Sequence, residues 1–151
     1  MSKVVCMIPA RMASTRFPGK PIAKILGVPM IEHVYRRVQL AKTIDEIYIA
    51  TCDEEIAQVA RDFGAPVVMT ANTHVRGTDR VAEAASKVEA DIVINVQGDE
   101  PLVDPASLDG GIQMLKKDPA IYCVNLISVI KDWNVFASPH VVKTVVDQKG
   151  K

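Results

Sequence analysis

The segment IPARMASTRFPGKP, residues 8–21, sets Arg11, Arg16 and Lys20 among small residues and prolines directly after a short apolar run. Arginine guanidinium groups can fork onto phosphate oxygens, and a lysine ammonium adds a compact charge. Ala13, Ser14 and Gly19 leave room for backbone N–H groups to approach the same ligand closely. Such a loop can neutralise a triphosphate, and a nucleoside triphosphate is its expected occupant. Solvated charges on a surface loop are the plain alternative; the loop's place in the fold and a second, acidic motif tell against it.

The acidic motif is DIVINVQGDEPLVDP, residues 91–105, where a buried strand runs into Gln97, Gly98, Asp99 and Glu100. Magnesium takes one or two carboxylates together with phosphate oxygens and water, and Asp99 beside Gly98 suits that role. The Gln97 amide can read sugar or base atoms, and Glu100 can hold the loop or a substrate hydroxyl. Asp104 reads as part of a polar turn. Between the two motifs, MTANTHVRGTDR (69–80) offers Thr70, Asn72, Thr73, Gly77 and Thr78 for base or ribose contacts, with Arg76 and Arg80 nearby. A helix start explains Thr78 and Asp79 equally well. His33, His74 and His140 have no ligand-like spacing, and none is assigned a catalytic role. Two familiar phosphate signatures are absent. STRFPGKP lacks the first glycine of a P-loop and has Pro21 where Ser or Thr belongs, and no G-x-G-x-x-G occurs.

The elements that must position these residues follow from hydrophobic periodicity. KVVCMI (3–8), EIYIAT (46–51), PVVM (66–69), DIVINV (91–96) and YCVNLI (122–127) read as buried strands. Helices are expected from Pro29 to Lys42, after an Asp53 cap up to Gly64, over 80–88 with Thr78 or Asp79 capping, and over 106–117. This alternation predicts a three-layer α/β/α fold with a mostly parallel sheet and right-handed crossovers. Ligands of such sheets gather beyond the carboxyl ends of the strands, which is where residues 9–21 and 97–100 fall. The last stretch, HVVKTVVDQKGK, reads as a strand entering a turn with no return strand, an unprotected edge that complete domains avoid.

The chain has 151 residues, 48% hydrophobic and 24% charged, with 18 basic and 18 acidic side chains. One domain with a real core is expected, and neither disorder nor a general nucleic-acid-binding surface. The apolar runs are of strand length, too short to span a bilayer, and a cytoplasmic location is expected. Cys6, Cys52 and Cys123 are odd in number and widely spaced, which suits reduced structural thiols.

IPARMASTRFPGKP, PMIEHVYRR, VVMTANTHVRGTDR and INVQGDEP occur here in one order, and with that order the chain resembles the 3-deoxy-manno-octulosonate cytidylyltransferase family, the CMP-Kdo synthetases. The resemblance covers residues 3–150. Sialic acid cytidylyltransferases share fold and reaction but differ in the first loop, where Ala13-Ser14-Thr15-Arg16 and Pro21 favour the Kdo branch. The resemblance implies a Rossmann-like nucleotide-diphospho-sugar transferase fold. It also implies CTP and a 3-deoxy-2-ulosonic acid as substrates, CMP-sugar and pyrophosphate as products, magnesium as cofactor, and a place in lipopolysaccharide or capsule synthesis. By matching positions, Arg11, Arg16 and Lys20 would bind triphosphate, Asp99 magnesium, and Gln97 the substrates.

The full expectation counts Arg11, Lys20 and Asp99 as catalytic. Ala10, Arg16, Thr70, Asn72, Gly77, Thr78, Arg80, Gln97 and Glu100 are counted as substrate-binding. The sugar's anomeric hydroxyl would attack the α-phosphorus in line, with no covalent enzyme intermediate. Arg76 departs from the family, which usually has Ser before Gly-Thr. Family members also run on well past residue 151, so residues 1–151 are expected to be the nucleotide-binding portion of a longer domain that dimerises when whole. The alternatives are a cytidylyltransferase for another sugar acid and a non-catalytic nucleotide-binding or interaction module.

Overall fold

A computed structural model describes residues 2–13 and 17–147. Four parallel strands form the sheet in the order β5-β4-β1-β6: β1 (Val4–Ala10), β4 (Glu46–Thr51), β5 (Val67–Met69) and β6 (Ile92–Asn95). β1 lies at the centre, paired with β4 from Val5↔Glu46 to Ala10↔Thr51 and with β6 from Val4↔Ile92 to Met7↔Asn95. Every residue of β1 is buried, as a continuous apolar run requires when a parallel sheet is covered on both faces.

On one face Cys6, Ile8 and Ala10 pack with three helices: α1 (Met30–Val38), α2 (Glu54–Asp62) and α4 (Pro105–Lys117). On the other, Val5, Met7 and Ala50 pack with Val81 and Ala84 of α3 (Gly77–Ala85). The expected three-layer α/β/α fold is therefore present, a Rossmann-like architecture. Each fully buried Val or Ile contributes about 1.5–3 kcal/mol relative to exposure, so the central strand is the fold's main anchor. Burial pushes the Cys6 thiol up to about 12, which fits an inert core residue.

Several expected boundaries move, each for a local reason. α1 stops at Val38 rather than Lys42: the chain tightens into turns, with Leu40 N–H to Arg37 C=O at 3.2 Å and Ala41 N–H to Val38 C=O at 2.9 Å, and Asp109 on α4 then holds the residues beyond. Its carboxylate accepts from the N–H groups of Lys42 and Thr43, both at 2.9 Å, and from the Thr43 hydroxyl. α3 begins at Gly77 instead of residue 80, with extended Arg76 in the capping position, so Thr78 and Asp79 lie inside its first turn and cap nothing. Asp53 precedes α2, but its carboxylate accepts from the Met12 N–H at 2.8 Å instead of capping the helix. Asp104, read as a turn residue, caps α4 by accepting from the Ser107 N–H at 3.0 Å.

Residues 122–127 form no strand. Val124 and Leu126 instead pack over Gly111 of α4, their side chains 3.6 and 3.5 Å from where a glycine Cβ would stand. Residues 140–147 likewise form no strand, and 148–151 lie outside the described residues. Two small elements were not expected. One is the hairpin of β2 (Lys24–Ile25) and β3 (Val28–Pro29), turning through Leu26 and Gly27 with φ of 50° and 84°. The other is α5 (Trp133–Ala137), capped by Asp132 and carrying stacked Trp133 and Phe136.

Gly110 sits inside α4 with open space where its Cβ would be. Gly110→Ala should therefore raise stability by about 0.5–1 kcal/mol, since only helix propensity changes. A urea melt of the two chains checks this, and an unchanged or lowered midpoint would refute it.

Candidate functional site

The chain leaves β1 towards β4 and β5 on one side and returns to place β6 on the other, so the order of strands reverses at β1. That reversal opens a crevice beyond the carboxyl ends of β1 and β6, the usual ligand position in open α/β sheets. Pro9 helps to make it. Proline has no N–H to donate, and the β1–β6 ladder ends with Val96 N–H to Met7 C=O at 3.2 Å.

A cleft of about 490 Å³ occupies this position. Ala10, Arg11, Lys20, Gly77, Arg80, Gln97 and Asp99, all expected site residues, line it together. Pro9, Phe17, Pro21, His74, Arg76 and Gly98 line it too. Arg16 and Ser14 lie outside the described residues. Thr70, Asn72, Thr78 and Glu100 are not part of the lining. The Thr70 hydroxyl accepts from Arg80 and its N–H reaches Thr51 C=O at 2.9 Å. Thr78 and Glu100 face a neighbouring groove of about 500 Å³ between β6, α4 and residues 122–126, and Gln97 borders both spaces.

Lys20 is aimed by its neighbours. Gly19 adopts a left-handed φ of 70°, accepts from the N–H groups of Ile22 and Ala23 at 3.1 Å, and donates to Met12 C=O at 3.1 Å. This bend opens a short 3-10 turn, Lys20–Ile22, and brings the Lys20 ammonium into an ion pair with Asp99. Met12 is itself held by Asp53, so a residue at the start of α2 sets the course of the cationic loop. From its place before α2, Asp53 reads as a helix cap, and only the fold shows the loop it fastens.

Arg80 is 2% exposed, and its guanidinium donates to the Thr70 hydroxyl and to Ala71 C=O, with no carboxylate partner among the described residues. A desolvated cation without a counter-charge is costly, so the site favours an anion from outside. Asp99 is the one carboxylate in the described lining. Glu100 points elsewhere, and its carboxyl is raised above 4.5 by partial desolvation and then by the Asp99 charge. No group of three or more ligating side chains occurs among the described residues. The donor set is thus one carboxylate facing cations suited to phosphate, which fits a magnesium ion completed by ligand oxygens and water.

His74 reaches the cleft while its Nε2 donates to Glu83 at 2.5 Å. Lys87, then His74 and the Ala71 N–H, hold the Glu83 carboxyl down at about 2, against an ordinary 4.5. Because the folded value is the lower one, the unfolded chain binds the extra proton as the medium acidifies. Stability from this cluster is complete above pH 4.5 and is lost as pH falls towards about 2. Urea midpoints across that window should drop more steeply for the parent chain than for Glu83→Gln. Parallel slopes would contradict this.

A doubly wound parallel sheet with a cationic crevice at its strand-order reversal defines a class, the nucleotidyltransferase-like α/β proteins. The solved structure of CMP:2-keto-3-deoxy-manno-octonic acid synthetase complexed with CTP superposes with a TM-score of 0.78 at 47% identity, over 80% of this chain and 50% of that one. The 3-deoxy-manno-octulosonate cytidylyltransferase of Geobacter metallireducens is 51% identical over 98% of this chain, and that of Geobacter sulfurreducens 50% identical over 97%. The cytidylyltransferase family profile matches residues 5–151, and the chain belongs to that family. It spans 58% and 59% of the length of these two relatives.

Proposed function

We propose that this chain is the nucleotide-binding portion of an enzyme that transfers a cytidylyl group from CTP to 3-deoxy-D-manno-octulosonate, giving CMP-Kdo and pyrophosphate. The observation that carries the reading is the convergence of Arg11, Lys20 and Arg80 with the Asp99 carboxylate at the crevice beyond β1. The names of the relatives, and the CTP in the structural neighbour's complex, support cytidine and Kdo over other nucleotides and acceptors.

In this reading Arg11, Arg16 and Lys20 bind the triphosphate and absorb charge on the departing pyrophosphate. Arg80 adds buried positive charge to the same lining, and Gly77 and Gly98 let their segments close against Pro9, which shapes the cleft. Gln97 borders both spaces, which supports a contact to nucleotide and acceptor alike. Asp99 would hold magnesium, which when bound adds charge neutralisation at the phosphates. Ala10 completes the substrate-binding set in the lining; Thr70 and Asn72 lie outside it, and Thr78 and Glu100 face the neighbouring groove, where an acceptor would contact them. The whole protein acts in the cytoplasm, as a homodimer, in lipopolysaccharide or capsule synthesis, without nucleic acid or membrane as partner. No helix among the described residues is long and apolar enough to cross a membrane.

Calorimetry of this chain with CTP, with and without magnesium and with ATP and GTP as competitors, tests the reading. Selective, magnesium-dependent CTP binding is expected. No binding by a well-folded chain, or equal binding of all three nucleotides, would overturn it.

A further inference from the structure

Glu83 lies on α3 outside the cleft lining, yet it bonds to the segment that borders the cleft. Its Oε2 accepts from the Ala71 N–H at 2.9 Å and from His74 Nε2 at 2.5 Å. Its Oε1 accepts from Lys87 Nζ at 2.7 Å, and Lys87 also donates to Met69 C=O at 2.7 Å. The Ala71 peptide is therefore bonded at both ends, its N–H to Glu83 and its C=O to Arg80. The Glu83 carboxylate thus fastens the segment between β5 and α3 directly at Ala71 and His74 and, through Lys87, at Met69; of these only His74 reaches the cleft.

An ionised carboxylate can only accept, so His74 must carry a proton on Nε2. Nδ1 makes no hydrogen bond within the described residues, and a histidine without the Glu83 contact would sample both tautomers and several rotamers. We propose that Glu83 is a positioning residue for the nucleotide: it locks His74 as a fixed wall of the cleft and sets the backbone of residues 70–76 before ligand arrives. This rests on reading the cleft as a nucleotide site. The inference adds to that reading a residue that touches no ligand and acts through the imidazole.

Two measurements on the parent chain, Glu83→Ala and Glu83→Gln test it. Nitrogen-15 spectra of the histidine rings, taken without ligand, should show His74 with Nε2 protonated in the parent and released in Glu83→Ala, with exposed His140 as the internal control. CTP affinity should fall roughly five- to tenfold in Glu83→Ala, as expected for loss of a charged hydrogen-bond partner, and recover largely in Glu83→Gln, which keeps an acceptor. A His74 ring that averages between tautomers in the parent as His140 does overturns the proposal. So does undiminished CTP affinity in a folded Glu83→Ala. Should that variant fail to fold, His74→Ala, which spares the Ala71 and Lys87 bonds, must show the same loss of affinity. A parent chain with no CTP affinity defeats the nucleotide reading itself, while the ring spectra still judge the Glu83 contact separately.

Discussion

Asp99→Asn is expected to bind CTP more weakly than the parent when magnesium is present and more tightly when it is absent. In the free chain Asp99 pairs with Lys20, both side chains about a third to a half exposed at 31% and 46%. Pairs so open to solvent contribute little to folding, about 0–1 kcal/mol, so the substitution should leave the fold intact. Its effect belongs to the ligand. With magnesium bound, Asp99 would hold the metal and leave Lys20 free for phosphate; without it, the carboxylate would repel the triphosphate and compete for Lys20. Loss of a charged ligand to the metal is expected to cost tenfold or more in affinity, about 1.4 kcal/mol, while relief of repulsion should improve metal-free binding roughly two- to fivefold. Calorimetry in magnesium and in chelator reads both signs. Lys20→Ala lacks the crossover and weakens CTP under both conditions. Equal affinities for Asp99→Asn and the parent in both buffers would remove Asp99 from the site.

Gly98→Val should destabilise the chain by about 1–3 kcal/mol and abolish measurable CTP binding. A Cβ at this position would stand 2.8 Å from the Pro9 carbonyl oxygen and 3.1 Å from Ile31 Cδ1. The first of these is backbone of the central strand, which is hydrogen-bonded to β4 and cannot move aside. Relief must come from the 97–100 turn, and that turn carries Gln97 and Asp99. Stability and binding therefore fail together, unlike Gly110→Ala, where open space turns the same kind of change into a gain. Thermal melts with calorimetry check this, and a Gly98→Val chain that melts and binds like the parent would show the close approach to be unimportant.

Much of this site was legible before any fold was known, because its chemistry is local. Arg11, Lys20, Gln97 and Asp99 stand out by residue type directly after apolar runs, and a parallel sheet delivers the ends of all its strands to one edge. Thr70 and Asn72 were harder. Their hydrogen-bonding capacity is visible in the sequence, but nothing there says that Arg80 already occupies the Thr70 hydroxyl.

By itself, then, the sequence determined the class of fold, the buried strand at residues 3–8, the cationic loop and the acidic turn, since hydrophobic period and residue chemistry act within a few neighbours. Tertiary structure alone decided what depends on groups distant in the chain. Asp109 holds the chain that follows α1, Asp53 holds Met12 instead of a helix end, and Glu83 takes His74 and Ala71 together. It also decided that YCVNLI, with every local mark of a strand, packs on α4 as irregular chain. A strand exists only where another offers its N–H and C=O groups, and no periodicity records whether that partner is there.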